Sequence, residues 1–200
     1  MASNLYLGLV HHPVYDKRGE VVTTAVTNFD IHDISRCART FGLGAFFIIT
    51  PLESQVQLVE RIISHWKQGE GSVYNPTRKE SLSLVRISRS IDEADHEISR
   101  LHQKKAKRIA TGASSYPECI GYGGLQRLLE DRDTPFFLLF GTGWGLTQEV
   151  KESSDYVLAP IEGKGYNHLS VRSAVAIILD RLLGERPPHP ALSPEGRGKG

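Results

Sequence analysis

Residues 135–184 constrain the fold more than any other stretch of this chain. The run PFFLLF (135–140) contains no polar residue, so it reads as a strand buried on both faces. It leads directly into Gly141-Thr142-Gly143-Trp144-Gly145. Glycines at alternate positions suit backbone with positive φ and close approach to a ligand. YVLAP (156–160) reads as a second buried strand, followed by a loop over 161–169. Ser170 is placed to cap the next helix and Gly184 to end it. Within that helix Val171, Ala174, Val175, Ala176, Ile177, Ile178, Leu179, Leu182 and Leu183 cover nearly the whole circumference. Such a helix is expected to be buried, against a sheet or against a partner chain.

The remaining pattern alternates. Residues 5–10 form the expected first strand, ended by His11-His12-Pro13, and 16–20 a polar turn. DIHDISRCARTF (30–41) predicts a helix capped by Asp30 and ended by Gly42. AFFIIT (45–50) is a buried strand, with Pro51 suited to the first turn of a helix over 52–68. Residues 69–79 read as a loop rich in Gly, Ser, Asn and Pro, and 81–88 fit helix or strand. Ser90 with Glu93 makes a capping box for a helix over 91–103. A strand at 107–111 ends in Gly112-Ala113-Ser114-Ser115, and 123–130 is a short helix. Buried strands alternating with helices predict an α/β fold with a mostly parallel sheet and helices on both faces. Residues 1–184 form one expected domain; 185–200, rich in Pro and Gly, read as a disordered tail.

Charge and cysteine content limit the functional classes. A net charge of +1 gives no global nucleic-acid signature, so any RNA contact must be local. Cys37 and Cys119 form no CxxC pair and need no oxidising compartment, which favours the cytoplasm. No apolar run reaches membrane-spanning length, and no His/Cys/Asp spacing suggests a metal centre.

FLLFGTGWGL (137–146), followed by LAPIEGKGYNHLSVRSAVAIILDRL (158–182), resembles the C-terminal half of SPOUT RNA methyltransferases. The run Asn167–Ser170 followed by Val171-Arg172-Ser173-Ala174 is the most specific part, and the likeness extends from about Leu5 to Gly184. The resemblance implies a C-terminal trefoil knot that binds S-adenosylmethionine, and a homodimer acting on rRNA or tRNA. Pattern rules alone predict an unknotted sheet. Positions matching the family's cofactor loops are Leu139, Phe140, Gly141, Thr142 and Gly143 in the first, Pro160, Ile161 and Gly163 in the second, and Asn167, His168, Leu169, Ser170 and Val171 in the third. Leu139 and Leu169 can form the walls of an adenine slot, with plain core as the other role open to each.

The segment TNFDIHDISRCARTFG (27–42) resembles the family's first motif, with Arg36 six residues before Gly42. The family's asparagine position holds Asp30, and Asn28 lies two residues earlier. Arg36 stays protonated, so its expected task is to grip an RNA phosphate or stabilise developing charge; a surface ion pair is the rival reading. Asp30 or Asp33 can accept a proton, and both also suit helix capping. His11-His12 can touch RNA or serve structure. Trp144 can stack a base, cover the cofactor or pack at a dimer contact. Arg172 can face RNA or pair with Glu162. Two other classes stay open: a catalytically silent RNA- or nucleotide-binding module, and an NAD-binding domain with Glu162 near the ribose position.

Overall fold

The computed structural model describes residues 3–68 and 75–185. Its centre is a six-stranded sheet built from β1 (Leu5–Val10), β4 (Phe46–Ile49), β5 (Val85–Ser88), β6 (Lys107–Ala110), β7 (Phe136–Gly141) and β8 (Tyr156–Val157). The strand order is β5-β4-β1-β7-β6-β8, and every pair is parallel. A two-stranded hairpin, β2 (Val14–Tyr15) with β3 (Val21–Val22), stands outside it. Parallel strands need crossover connections and cover on both faces, so the central strands β1, β4 and β7 carry no charged residue, while β5 holds Arg86 and β6 opens with Lys107-Arg108. In β1 and β4 every residue is buried.

The two faces follow the period-two alternation of side chains. Leu5, Leu7, Leu9, Phe46, Ile48, Leu138 and Phe140 pack on one face with α1 (Asn28–Thr40), α2 (Glu53–Lys67), α3 (Pro76–Leu82), α5 (Tyr122–Leu129) and α7 (Val171–Leu183). Tyr6, Val10, Phe47, Ile49, Phe137 and Leu139 pack on the other, with α4 (Ile91–His102) and α6 (Gln148–Glu152). The last helix, α7, lies beside α1 and α5 and buries Val175, Ile178, Leu179 and Leu182.

Several local expectations change. Thr27, not Asp30, caps α1: its hydroxyl accepts the Asp30 N–H at 3.2 Å and donates to the Asp30 carboxylate at 2.6 Å. This T-x-x-D capping box moves the helix start to Asn28. Pro51 precedes α2, whose N-cap is Leu52. The loop expected at 69–79 is helical from Pro76, because the Asn75 side chain caps α3; residues 69–74 lie outside the described residues. Residues 81–88 divide between the end of α3 and β5. The ladder expected over 156–160 stops at Val157, with Leu158 bridging Ile120. Helix α6 went unread in the sequence. Ser90 caps α4 and Ser170 caps α7 as the spacing requires. Apart from Glu185, the expected tail lies outside the described residues.

Candidate functional site

β7 and its neighbours β1 and β6 all end on the same edge of the sheet, because all are parallel. The chain leaves β1 towards β4 and β5 on one side, then crosses to β6, β7 and β8 on the other. Open α/β sheets bind ligands where the strand order reverses in this way, beyond the carboxyl ends of the strands. A cleft of about 1010 Å³ opens at this point. That is the upper end of the range for small-molecule sites.

The segment after β7 forms one wall. Gly143 and Gly145 have φ of +57° and +98°, so only glycine adopts them without strain. Gly141 serves differently: a Cβ there would stand 2.5 Å from the Leu146 nitrogen. At Gly143 a Cβ would meet the Tyr15 carbonyl at 2.9 Å, so the close approach here is to the β2–β3 hairpin. The hairpin clamps the glycine loop through Trp144 N–H to Tyr15 O (2.9 Å) and Tyr15 N–H to Gly145 O (3.0 Å). The Thr142 N–H and hydroxyl both donate to Val10 O, at 3.1 and 2.9 Å.

Residues 161–171 form the opposite wall. The Asn167 amide donates to Ala113 O at 2.6 Å, tying this loop to the end of β6. A Cβ on Gly163 would collide with the Tyr166 carbonyl, which keeps the loop tightly folded. Ala174 and Ile178 of α7 close the back beside Phe140 and Ile161.

The third wall is the entry to α1. Thr24, Thr27 and Asp30 face the cleft, and the buried Asp30 is engaged by Arg172 (Nε to Oδ1, 3.4 Å). Arg172 also donates to Asp33 Oδ2 at 2.8 Å and stacks over Phe29. Its partners are thus Asp30 and Asp33, and of the two readings open to it, the pairing with Glu162 does not form. Behind this wall lies His11, fully buried, with Nδ1 3.0 Å from the Thr24 hydroxyl. Burial pushes its imidazole down to about 4, against the opposing pull of Asp30. At pH 7 it is therefore neutral.

Of the thirteen residues matched to cofactor loops, ten line this cleft: Phe140, Gly141, Thr142, Gly143, Ile161, Asn167, His168, Leu169, Ser170 and Val171. Leu139 is not a wall of it. The alternation along β7 turns its side chain into the core on the α4 and α6 face, and its carbonyl accepts from Thr111. Leu169, 41% exposed, does stand at the rim. Pro160 and Gly163 flank the lining without joining it. Asp30 reaches the cleft, whereas Asn28 and Arg36 are exposed on α1 outside its lining. Sequence reading passed over Thr24, Thr111, Lys151 and Tyr166 as lining residues. The signal for Thr111 was available, since it follows the carboxyl end of a central parallel strand.

The comparisons agree with this geometry. Residues 4–184 match the family model described as SAM-dependent RNA methyltransferase. A relative in Aquifex aeolicus is 39% identical over 181 residues, covering 90% of this chain and 88% of its own length. The tRNA (guanine-N(1)-)-methyltransferase of Oleidesulfovibrio alaskensis is 45% identical over 183 residues, 91% of this chain. That match takes up only 42% of the larger protein. Among solved structures, the SpoU methyltransferase AviRb of Streptomyces viridochromogenes, in complex with AdoMet, aligns with a TM-score of 0.53 at 17% identity. It spans 91% of this chain and 60% of that one. The TrmH/SpoU tRNA modifying enzyme of A. aeolicus aligns with a TM-score of 0.52 at 15% identity, over 90% and 74% of the two chains.

The cleft fits S-adenosylmethionine chemically. Phe140, Ile161, Leu169 and Ile178 offer an apolar slot, the two loops offer backbone edges, and the Asp30 carboxylate faces a space where a sulfonium cation would be stabilised. With a parallel six-stranded sheet, a cofactor-sized cleft at the strand reversal and a family match running almost end to end, this chain belongs to the SAM-dependent RNA methyltransferases.

Proposed function

We propose that the protein methylates a nucleotide of tRNA or rRNA in the cytoplasm as a homodimer, holding S-adenosylmethionine between the loops 140–146 and 161–171. The observation that carries this reading is the convergence of those loops with Asp30 on one cleft at the carboxyl edge of the sheet. The cofactor supplies an electrophilic methyl group. The backbone of both loops orients it, and closure by α7 keeps water from the reacting centre. An attacking nitrogen or ribose oxygen must shed a proton, and Asp30 is the carboxylate that faces the cleft to receive it. Arg36, exposed on α1, grips an RNA phosphate. The trefoil threading belongs to the same reading. It is supported by the crossing of loop 161–171 onto Ala113 before α7 returns to α1.

Transfer RNA is the first substrate to test, because the Oleidesulfovibrio relative and the A. aeolicus TrmH/SpoU enzyme are named for it. Since the Oleidesulfovibrio protein is more than twice as long as the matched region, its guanine N1 activity need not be this chain's. Melting with S-adenosylmethionine, S-adenosylhomocysteine and NAD tests the site directly. A ligand at a hundred times its Kd adds about 2.7 kcal/mol, hence roughly 5–11 °C for a chain this size. We expect that shift with the two sulfur ligands and none with NAD. Methyl transfer to separated tRNA and rRNA pools from a deletion strain, followed by nucleoside mass spectrometry, identifies the acceptor atom. A shift without transfer to either pool would leave a silent binding module in its place.

A further inference from the structure

His11 is the one fully buried histidine among the described residues, and nothing in the cleft chemistry above uses it. Its backbone is spent on the sheet: His11 N–H donates to Ile49 O at 2.9 Å and its carbonyl accepts Thr24 N–H at 2.9 Å. Its ring is half spent. Nδ1 meets Thr24 Oγ1, while Nε2 is buried with no partner.

The polarity of the surrounding bonds can be read off. Thr142 Oγ1 lies 2.9 Å from Val10 O, a carbonyl that only accepts, so the Thr142 hydroxyl must donate there. Thr142 Oγ1 then accepts from Thr24 Oγ1, 2.5 Å away. The Thr24 proton being used, its oxygen accepts from His11, and Nδ1 must carry the hydrogen. The opposite polarity would set two acceptor oxygens against each other at Val10 and leave a buried Nε2–H unpaired. Orphaned donors are the rarer defect in folded proteins.

The geometry points to His11 as the positioning residue of the cleft. As the Nδ1–H tautomer it heads a one-way chain, His11 to Thr24 to Thr142 to the Val10 carbonyl, that locks the wall carrying Asp30 onto the glycine loop. The chain joins segments 118 residues apart in sequence, Thr24 on the wall at the entry to α1 and Thr142 on the glycine loop. Ordering at one wall is thereby passed to the other. The cofactor part of this statement rests on the proposed function; the tautomer and the loop ordering do not.

Two substitutions separate the ring nitrogens. An asparagine amide nitrogen takes the place of Nδ1, and a glutamine amide takes the place of Nε2. His11→Asn keeps the donor to Thr24, and His11→Gln loses it. By calorimetry with S-adenosylhomocysteine, we expect a Kd within about threefold of wild type for His11→Asn and about tenfold weaker for His11→Gln, the size of one lost buried hydrogen bond. Amide exchange at Thr142 should stay protected in His11→Asn and quicken in His11→Gln, with or without ligand. Long-range ¹⁵N–¹H correlation spectra of the wild-type chain at pH 7 should show Nδ1 protonated and Nε2 bare. Should His11→Gln fail to fold, His11→Asn and these spectra still decide. A protonated Nε2 in wild type, or equal Kd and equal Thr142 protection in the two variants, overturns the inference. If S-adenosylhomocysteine fails to bind even the wild type, the proposed cofactor site falls, and the exchange and tautomer results judge the chain of bonds by themselves.

Discussion

Arg36 stands exposed on α1 with no acidic partner among the described residues, while the charges around it are engaged. Asp30 and Asp33 are held by Arg172, and Arg39 by Glu80. In the proposed reading this free cation grips RNA. Arg36→Ala should therefore lower methyl transfer by ~10²–10³-fold, the usual cost of one charge-stabilising donor, while cofactor binding survives. Arg36→Lys should recover little, since an ammonium cannot reproduce the guanidinium fork. Single-turnover transfer at saturating cofactor checks this, and wild-type rates in Arg36→Ala would remove the residue from the site. His11 makes a prediction of another kind. Its folded pKa, about 4, lies below the ordinary value near 6.5, so the unfolded chain takes up a proton first as pH falls. The stability held above pH 6.5 is then lost progressively towards pH 4. Between pH 7 and pH 5 the wild type should lose about 2 kcal/mol more than His11→Asn, which has no ring to protonate. Urea midpoints of both proteins across that range measure the difference, and parallel curves would refute it.

At the scale of the elements, α7 is the piece on which the cleft and the core both depend. Leu179 is fully buried within it, while Ala174 and Ile178 line the cleft. Leu179→Ala should cost about 2–5 kcal/mol, as large-to-small changes in a packed core do. Because the back wall would loosen with it, the melting shift given by S-adenosylhomocysteine should shrink as well. An unchanged melting point would mean that α7 is not held as described. The bounds of α7 were legible in the sequence because Ser170 and Gly184 punctuate an unbroken apolar run. β1, β4 and β7 were legible because strands buried on both faces carry no charged residue to blur them. The α3 start was misread because Asn75-Pro76 suits a loop as well as a helix cap, and α6 is only five residues long. At the site, the backbone loops could be read from their glycines. The reason each glycine is required could not, since Gly143 is fixed by Tyr15, far away in the chain. The pairing of Arg172 with Asp33 spans 139 residues, and no local spacing announces it. Of the two leucines open to slot or core, Leu139 takes the core role, because the two-residue alternation of β7 turns it away from the cleft.

Among the described residues, apolar surface is left uncovered on α7 and around the cleft. Helix α7 buries the stripe Val175, Ile178, Leu179 and Leu182, yet Val171, Ala176, Ile177 and Leu183 remain only partly covered. Phe29 is 68% exposed one residue before Asp30, and Trp144 and Tyr166 on the cleft rim are 68% and 71% exposed. Large aromatic residues exposed together around a site mark an interaction surface. A second copy related by a two-fold axis would cover α7 and α1 with the same elements of its partner, as closed symmetric interfaces require. A stable interface of this kind buries about 1,200–2,000 Å² in total. Sedimentation at micromolar concentration should therefore give a species of twice 22.2 kDa. Ile177→Asp sets a charge on the uncovered half of α7, so it should release monomers whose helical signal is retained. Those monomers separate two roles of the dimer. If each cleft is complete within one chain, S-adenosylhomocysteine will bind the Ile177→Asp monomer and only RNA methylation will fail. If the partner's surface is needed to order the rim at Trp144 and Tyr166, both will fail together. A wild-type chain that sediments as a monomer would sink the homodimer, and the exposed rim would then have to serve RNA alone.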